Sequence, residues 1–181
     1  AGKKPATGKL PNVRQLNSLF SSIGYHKGKQ IVAYDDEGGG WAGRFIWTLD
    51  VIGHLNSSYV NGGLCAWKVA NLEVTRELPT IEPAPVDLEI NTAFIAEKED
   101  VLAGIGNPDT LLWDARSSEE FDGTMVFANR GGHIPGAINL DWLDTMDRKN
   151  SLKLVPQLQA LLDSHGMTAD KSIITYCQTH H

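Results

Sequence analysis

A cysteine that directly follows a short apolar run is the residue with the clearest chemical potential in this sequence. The run covers residues 172–175, and Tyr176 and Cys177 come next. Such a run predicts a β-strand, and reactive groups in open α/β sheets lie where the strands end. Because a thiolate is a strong nucleophile, the position of Cys177 predicts covalent catalysis at the carboxyl edge of a sheet.

The residues after Cys177 extend this candidate site. They are Gln178, Thr179, His180 and His181. We expect Gln178 and Thr179 to supply backbone donors and to shape the loop. The two histidines either contact an anionic substrate or only complete the loop. The remaining interpretations are a purification tag that begins at His180 and a metal site shared with Cys177, which would need further ligands from elsewhere.

Both cysteines also have a purely structural interpretation. For Cys177 this is a buried thiol without chemistry. Cys65 lies between Leu64 and Ala66, and we expect it to be buried as a small apolar residue. Two cysteines so far apart do not form a disulfide scaffold, so a reducing, cytoplasmic compartment is the expected location.

The composition is typical of a globular protein. The 181 residues suffice for one ordinary domain or two small ones. The formal net charge is −6 and no long basic run is present, which argues against nucleic acid or an anionic membrane as the main partner. No apolar stretch approaches the ~18–20 residues that cross a bilayer, and the first residues lack the apolar centre of a secretion signal.

Two parts of the chain are related by an internal repeat. Residues 10–35 align without a gap with residues 152–177. The identical pairs are Leu10/Leu152, Val13/Val155, Gln15/Gln157, Leu16/Leu158, Leu19/Leu161, Ser22/Ser164, Gly24/Gly166, Lys29/Lys171, Ile31/Ile173 and Tyr34/Tyr176. Each copy predicts a helix, a helix-ending glycine and a buried strand, the order found in βαβ-type units. Asp35 stands where the second copy has Cys177, so we interpret Asp35 as a degenerate site.

The rest of the chain predicts further elements and a division into three regions. The predicted elements are a helix over residues 41–49, a strand near 58–60, a helix from about Leu64, a helix over 92–103, a strand followed by a loop over 110–116, and a turn that leads into a strand over 131–138. The proline-bearing residues 76–90 predict a linker. It separates residues 1–75 from residues 91–181.

Three signatures coincide in this chain. They are Trp113-Asp114-Ala115-Arg116, Gly132-His133-Ile134-Pro135-Gly136-Ala137 and the strand that ends at Cys177. Together they resemble the rhodanese family of sulfurtransferases, and the repeat and the linker resemble its tandem two-domain form. The resemblance covers nearly the whole chain. It implies an α/β fold of two rhodanese-like domains, each a parallel sheet flanked by helices and present here as partial repeats.

In this comparison, residues 1–75 resemble the back half of an inactive domain. Residues 91–181 resemble the front half of the catalytic domain, so we expect a chain that is truncated at both ends. The loop from Cys177 to His181 is similar to that of a bacterial subgroup of thiosulfate sulfurtransferases. It differs from the arginine- and lysine-bearing loop of the animal thiosulfate enzymes, and from the Cys-Gly-Ser-Gly loop of the mercaptopyruvate enzymes.

The resemblance implies an enzyme that moves sulfane sulfur from thiosulfate to a thiophilic acceptor such as cyanide, through a persulfide on Cys177. It implies a monomer with no metal and no organic cofactor. The expected partners are a small anionic sulfur donor and the thiophilic acceptor, with neither nucleic acid nor membrane.

Three residues of the signatures are interpreted as structural residues near the cleft. Asp114 and Arg116 are expected to form an ion pair or backbone hydrogen bonds that fix a loop. His133 is expected to be a hydrogen-bonded turn residue. The alternative for Asp114 and Arg116 is a catalytic acid and a catalytic cation.

Two other functions and one other architecture are also compatible with the sequence. A cysteine-based phosphatase or arsenate reductase would use a similar anion loop, and a non-enzymatic sulfur carrier or interaction module would need no turnover. The alternative architecture is one permuted domain, in which residues 10–70 and 95–181 share a continuous sheet.

Overall fold

The computed structural model describes residues 8–178 and divides the chain into two compact units. The first unit extends to Ile95 and the second begins at Ala96. The α-helices are α1 (Val13–Ser22), α2 (Gly40–Val51), α3 (Gly63–Val69), α4 (Lys98–Gly104), α5 (Ser118–Asp122) and α6 (Leu158–Ser164). The strands are β1 (Ile31–Ala33), β2 (Ser57–Tyr59), β3 (Thr110–Asp114), β4 (Ile138–Asn139), β5 (Met146–Asp147), β6 (Lys153–Leu154) and β7 (Ser172–Tyr176). Short 3-10 turns cover Thr92–Phe94 and Trp142–Thr145.

The first unit has a hydrophobic core to which α1 and α2 contribute half of the buried side chains. The capping box of α1 pairs Asn12 with Gln15, because each side chain accepts the other residue's backbone N–H, at 3.0 and 3.1 Å. The buried core consists of Leu16, Phe20, Tyr25, Leu49, Ile52 and Leu88. Strands β1 and β2 pair in parallel, so both end at the same edge of their sheet.

The second unit has a three-stranded parallel sheet in the order β4-β3-β7. Asp114, the last residue of β3, lies opposite Tyr176, the last residue of β7. The carboxyl ends of these two strands therefore lie side by side. The core below them contains Leu111, Leu140 and Met167, and β5 and β6 form a separate antiparallel pair. The α/β class with parallel sheets flanked by helices is confirmed.

The helix-ending glycines occupy the backbone conformation that the sequence predicts. Helix α1 is followed by Gly24 with φ +65°, and α6 is followed by Gly166 with φ +73°. Positive φ values are strained for residues with a Cβ and accessible to glycine. Both glycines thus turn the chain from a helix toward the following strand.

The prediction that both repeat strands are buried is wrong for β7. Ser172, Ile173 and Thr175 are exposed, and among the strands of residues 8–178 β7 is hydrogen-bonded to β3 alone. A strand at the edge of a sheet has neighbours on one side, so fewer of its side chains are covered. Val32 of β1 is also exposed, at 53%. An apolar run indicates a strand but does not indicate where in the sheet it lies.

The single helix predicted over residues 92–103 is wrong. Asn91 caps only the short turn that starts at Thr92, where its Oδ1 accepts from the Ala93 N–H at 3.1 Å. Ile95 is then extended, and Glu97 begins α4 with a second capping box, in which Asp100 accepts its backbone N–H at 2.8 Å. The second cap starts a new helix.

The predicted linker, residues 76–90, contains neither helix nor strand, but its second half packs against the first unit. Ala84 and Leu88 are buried, and the Leu88 N–H donates to Oδ1 of Asn17 at 2.9 Å. Leu88 belongs to the core of this unit. This part of the segment is therefore held by the core.

The described strands of the two units belong to different sheets. β1 and β2 form one sheet, while β3, β4 and β7 form another. The alternative of one permuted domain with a continuous sheet is therefore wrong for residues 8–178. Over the same residues, every helix is too short or too polar to cross a bilayer.

Candidate active site

The carboxyl end of β3 carries a buried ion pair. Asp114 is 0% exposed, and Arg116 binds its carboxylate with both arms of the guanidinium. Nε donates to Oδ1 at 2.9 Å and Nη2 to Oδ2 at 2.6 Å, while the Arg116 backbone N–H donates to Oδ1 at 3.1 Å. Two parallel charge-assisted hydrogen bonds fix the relative orientation of both groups. The ion pair predicted from the sequence is present.

Both members of this pair are held in their charged forms. Burial raises the pKa of Asp114, but hydrogen bonds from Arg116 and Tyr176 outweigh burial and leave that pKa below its ordinary value. The hydrogen bonds with Asp114 also raise the pKa of Arg116 above its ordinary value. An enclosed carboxylate that stays ionised is poorly suited to donate a proton. This favours the structural interpretation of Asp114 over that of a catalytic acid.

The ion pair is connected to the loop that carries the Gly-His-Ile-Pro-Gly sequence. Nη2 of Arg116 donates to the Gly132 carbonyl at 3.0 Å, and the Ile134 N–H donates to the Tyr176 hydroxyl at 3.2 Å. The Arg116 guanidinium carbon lies 5.6 Å from the centre of the Tyr176 ring. The ends of β3 and β7 therefore hold this loop through two side chains.

Tyr176 remains a neutral phenol in this position. Burial raises the pKa of Tyr176 to about 12, and the neighbouring Asp114 carboxylate adds to the increase, while the Ile134 N–H acts against it. A protonated hydroxyl can accept from the Ile134 N–H and at the same time turn its own proton toward Asp114. Tyr176 thus links the carboxylate of β3 to the loop.

Cys177 follows Tyr176 directly, at the carboxyl end of β7. It is half-buried and forms no disulfide, and Gln178 after it is exposed. Thr179, His180 and His181, which the sequence assigns to the active loop, lie outside the described residues. Cys65 was expected to be buried, but it is half-buried, and its thiol lies 3.5 Å from the Asp36 carbonyl oxygen.

His133 is fixed by one hydrogen bond and one ring contact. Its Nδ1 lies 2.8 Å from the Phe121 carbonyl oxygen, and because a carbonyl only accepts, Nδ1 carries the proton. The two rings stack with their centres 3.6 Å apart. His133 therefore joins its loop to α5, in agreement with the expected hydrogen-bonded turn residue.

In the first unit, the loop after β1 closes around the carboxylate of Asp35. Oδ1 accepts from the N–H groups of Glu37 at 3.2 Å and Gly39 at 2.9 Å, and Oδ2 accepts from that of Ala42 at 3.0 Å. Burial raises the pKa of Asp35, but these backbone donors together lower it below its ordinary value. Asp35 aligns with Cys177 in the repeat. Its anionic carboxylate is thus surrounded by backbone N–H groups at the start of α2.

Two contributors to the site were missed in the sequence. From the sequence, Tyr176 is only part of a predicted strand, and Asn139 has no predicted role. Nδ2 of Asn139 donates to the carbonyls of Asp114 at 3.1 Å and Arg116 at 2.9 Å, which closes the turn after β3. A signal existed for Tyr176, because it precedes the cysteine and recurs as Tyr34. Asn139 carried no such signal, since its partners lie 23 and 25 residues away.

Comparison with known proteins agrees with this fold. Residues 97–181 match the model of the rhodanese-like domain. The chain is 46% identical over 180 residues to a thiosulfate sulfurtransferase of Azotobacter vinelandii, and it is 30% identical over 176 residues to the sulfur carrier protein TtuD of Thermus thermophilus. These alignments cover 99% and 91% of this chain.

A solved structure is also similar over nearly the whole chain. The crystal structure of SseA from Escherichia coli, described as a 3-mercaptopyruvate sulfotransferase with the rhodanese fold, has a TM-score of 0.82 at 26% identity and covers 99% of this chain and 68% of its own. The chain therefore belongs to the rhodanese family. It spans 66% of the length of the Azotobacter relative and 62% of that of TtuD.

Proposed function

We propose that this protein is a sulfurtransferase that moves the sulfane sulfur of thiosulfate to a thiophilic acceptor such as cyanide, with Cys177 as the nucleophile. The observation that carries the proposal is the position of Cys177. It stands at the end of a parallel strand, beside an ion pair that holds the neighbouring loop, in the unit that matches the rhodanese-like domain. The name of the Azotobacter relative supports thiosulfate as the donor.

The reaction takes place in two displacements. The Cys177 thiolate attacks the outer sulfur of thiosulfate, the S–S bond breaks, and sulfite leaves with the bonding electron pair. Cyanide then attacks the outer sulfur of the persulfide through carbon. Thiocyanate leaves and the thiolate is restored. No electrons are gained or lost overall, so the covalent persulfide is the only carrier required, and we propose that neither a metal nor an organic cofactor takes part.

The first unit shows how backbone N–H groups can stabilise a negative charge at this position of the repeat, which supports a similar role for the loop after Cys177. At the repeat position, backbone N–H groups converge on the Asp35 carboxylate. A similar loop after Cys177 would direct N–H groups at the thiolate, the persulfide and the anionic donor. In this proposal, Gln178, Thr179, His180 and His181 form that loop, while the Asp114–Arg116 pair and His133 hold the adjoining one.

The finer features of the proposal follow from the repeat and the composition. We propose a tandem protein in which the Asp35 unit is the inactive partner of the Cys177 unit. It would act as a monomer in the cytoplasm on a small anionic donor and a thiophilic acceptor. The net charge of −6 is consistent with partners other than nucleic acid or an anionic membrane.

A second candidate function is sulfur carriage without turnover. It is favoured by the 30% identity to TtuD, which is named a sulfur carrier protein. A carrier would accept sulfur on Cys177 and pass it to a specific protein acceptor. The two functions differ in the second step, because only the enzyme would release the sulfur rapidly to a small acceptor such as cyanide.

Intact mass spectrometry tests the proposal directly. The protein is weighed untreated, after thiosulfate, and again after cyanide. We expect a gain of about 32 Da, one sulfur atom, which cyanide removes. Cys177→Ser should show no gain, whereas Cys65→Ser should gain sulfur like the parent protein. Absence of the adduct from the parent protein would contradict the proposed function. An adduct that cyanide removes only slowly would favour the carrier.

A further inference from the structure

The tyrosines that precede Asp35 and Cys177 are the same residue type in very different surroundings. Tyr34 is 63% exposed. Tyr176 is half-buried, accepts a hydrogen bond from the Ile134 N–H at 3.2 Å and lies against the Arg116 guanidinium. The repeat places both tyrosines one residue before the start of their loops. Only the tyrosine before the cysteine is held by its phenol ring and hydroxyl.

The first residue of each loop explains this difference. The Asp35 carboxylate accepts three backbone hydrogen bonds from its own loop, so Asp35 fixes its own position. A thiol is a weak hydrogen-bonding group and cannot do the same. A loop that begins with cysteine therefore needs its anchor in a neighbouring residue.

The strand before Cys177 makes such an anchor more important. β7 is bonded to β3 alone among the described strands, and Ser172, Ile173 and Thr175 are exposed. Packing around these side chains does little to restrain the strand end. Besides the strand pairing, one backbone hydrogen bond from Ala115 N–H to the Tyr176 carbonyl, at 2.9 Å, holds this point. The phenol of Tyr176 adds contacts that reach a fully buried carboxylate.

We propose that Tyr176 is a positioning residue for Cys177. Its hydroxyl, between the Ile134 amide and the Asp114–Arg116 ion pair, fixes the end of β7 so that the thiol has one orientation at the start of the active loop. This inference rests on the proposed function, because the orientation matters only if the thiol attacks a bound donor. An attack geometry that is lost by about 1 Å can cost on the order of a hundredfold in rate.

The test compares Tyr176→Phe with the matched control Tyr34→Phe, both in a Cys65→Ser background, where Cys177 is the only cysteine of the sequence. The rate of persulfide formation is measured against thiosulfate concentration, and the rate of alkylation by iodoacetamide is measured separately. For Tyr176→Phe we expect the saturating rate to fall about tenfold at a similar half-saturating concentration, since the lost contact acts on attack geometry rather than on binding. Alkylation and the Tyr34→Phe variant should stay within about twofold of the parent.

Comparing the effect of Tyr176→Phe on the rate of persulfide formation with its effect on the rate of alkylation distinguishes a positioning role from a merely structural one. A loosened fold would raise alkylation together with any loss of transfer, and that result would overturn the inference. Equal transfer rates for Tyr176→Phe and Tyr34→Phe would overturn it too, while leaving the proposed function intact. A parent protein that forms no persulfide would overturn both.

A second variant keeps the inference testable if Tyr176→Phe shows no thermal unfolding transition. Arg116→Lys keeps the positive charge but loses the two-armed contact with Asp114. We expect it to lower the saturating rate by about threefold to tenfold, with alkylation again unchanged. An unchanged saturating rate in a folded Arg116→Lys protein would contradict the positioning role.

Discussion

The loop after β1 and the loop after β7 follow a tyrosine of the same repeat and then differ in one decisive residue, Asp35 against Cys177. In the first loop the anion is a side chain of the loop itself. The Asp35 carboxylate accepts hydrogen bonds from three backbone N–H groups, with N···O distances of 2.9–3.2 Å. The second begins with a thiol, which is a weaker hydrogen-bonding group than a carboxylate. The first loop is closed by its own side chain, whereas in the second unit the tyrosine before Cys177 contacts Ile134 and Arg116.

This comparison indicates how a reactive position can arise in a repeated unit. Backbone donors that stabilise a carboxylate in one copy would stabilise a thiolate and its anionic donor in the other. The carboxylate of Asp35 is already hydrogen-bonded to the N–H groups of its own loop. In the second unit, the Asp114–Arg116–Tyr176 contacts hold the strand end before Cys177.

The largest expected effect concerns the nucleophile. Cys177→Ser should lower sulfur transfer from thiosulfate by at least about a thousandfold, because a hydroxyl does not form the persulfide. The rate of sulfur transfer is measured as cyanide-dependent formation of thiocyanate. Cys65→Ser is the matched control and should retain the parent rate. Substantial activity in Cys177→Ser would contradict the assignment of Cys177 as the nucleophile, and the two loops would then not differ in the reacting group.

Next comes the Asp114–Arg116 ion pair at the carboxyl end of β3. Arg116→Ala should lower the free energy of unfolding of the second unit by about 3–5 kcal/mol, because it leaves the carboxylate of Asp114 buried without its partner. Arg130→Ala, at an exposed position, should change it by less than about 0.5 kcal/mol. Urea unfolding measures both variants. Similar urea midpoints for Arg116→Ala and Arg130→Ala would mean that the Asp114–Arg116 ion pair does not stabilise the end of β3.

A smaller effect is expected where Asp35 closes its own loop. Asp35→Asn should destabilise the first unit by about 1–2 kcal/mol, because an amide accepts fewer and weaker hydrogen bonds from the Glu37, Gly39 and Ala42 N–H groups than a carboxylate does. Asp36→Asn changes an exposed neighbour and should be nearly neutral. If the two substitutions cost the same in urea unfolding, the carboxylate of Asp35 does not anchor the loop.

The same carboxylate predicts a pH dependence of definite sign. The pKa of Asp35 is lower in the folded protein than its ordinary value of 3.8. Its contribution to stability is therefore complete above the unfolded pKa and is lost as the pH falls through the folded pKa. The difference in unfolding free energy between the parent and Asp35→Asn should be constant from about pH 7 to pH 5 and shrink below about pH 4. A difference that grows on acidification would contradict this assignment.

The smallest expected effect tests whether the charge around the first loop, and not only its missing thiol, distinguishes the two loops. Asp35→Cys in a Cys177→Ser background places a thiol among the N–H groups of the first loop. We expect it to react with neutral iodoacetamide but to take up little sulfur from thiosulfate, because the exposed carboxylates of Asp36 and Glu37 repel a dianion. Adding Asp36→Asn and Glu37→Gln should raise the uptake, measured as a mass gain. Full uptake with both carboxylates in place would show that the local charge does not separate the two loops.

Much of the fold could be predicted because its signals are local. A helix, a glycine with positive φ and a strand follow one another in both copies of the repeat, and each depends on residues that are close in sequence. The Asp114–Arg116 pair was predictable for the same reason, since its members are two residues apart on one strand end. The single helix over 92–103 failed because a cap at Glu97 starts a new helix, and periodicity does not report caps.

Residue type and short-range pattern suffice to predict a nucleophile at Cys177, to interpret Asp35 as a degenerate position and to assign the parallel α/β class. Long-range packing places β7 at an edge of its described sheet and residues 84–88 against the core of the first unit, and it binds Tyr176 while Tyr34 stays exposed. The physical reason is the distance along the chain. The Ile134–Tyr176 and Asn17–Leu88 hydrogen bonds join residues 42 and 71 positions apart, and contacts of that kind form only when the whole unit packs.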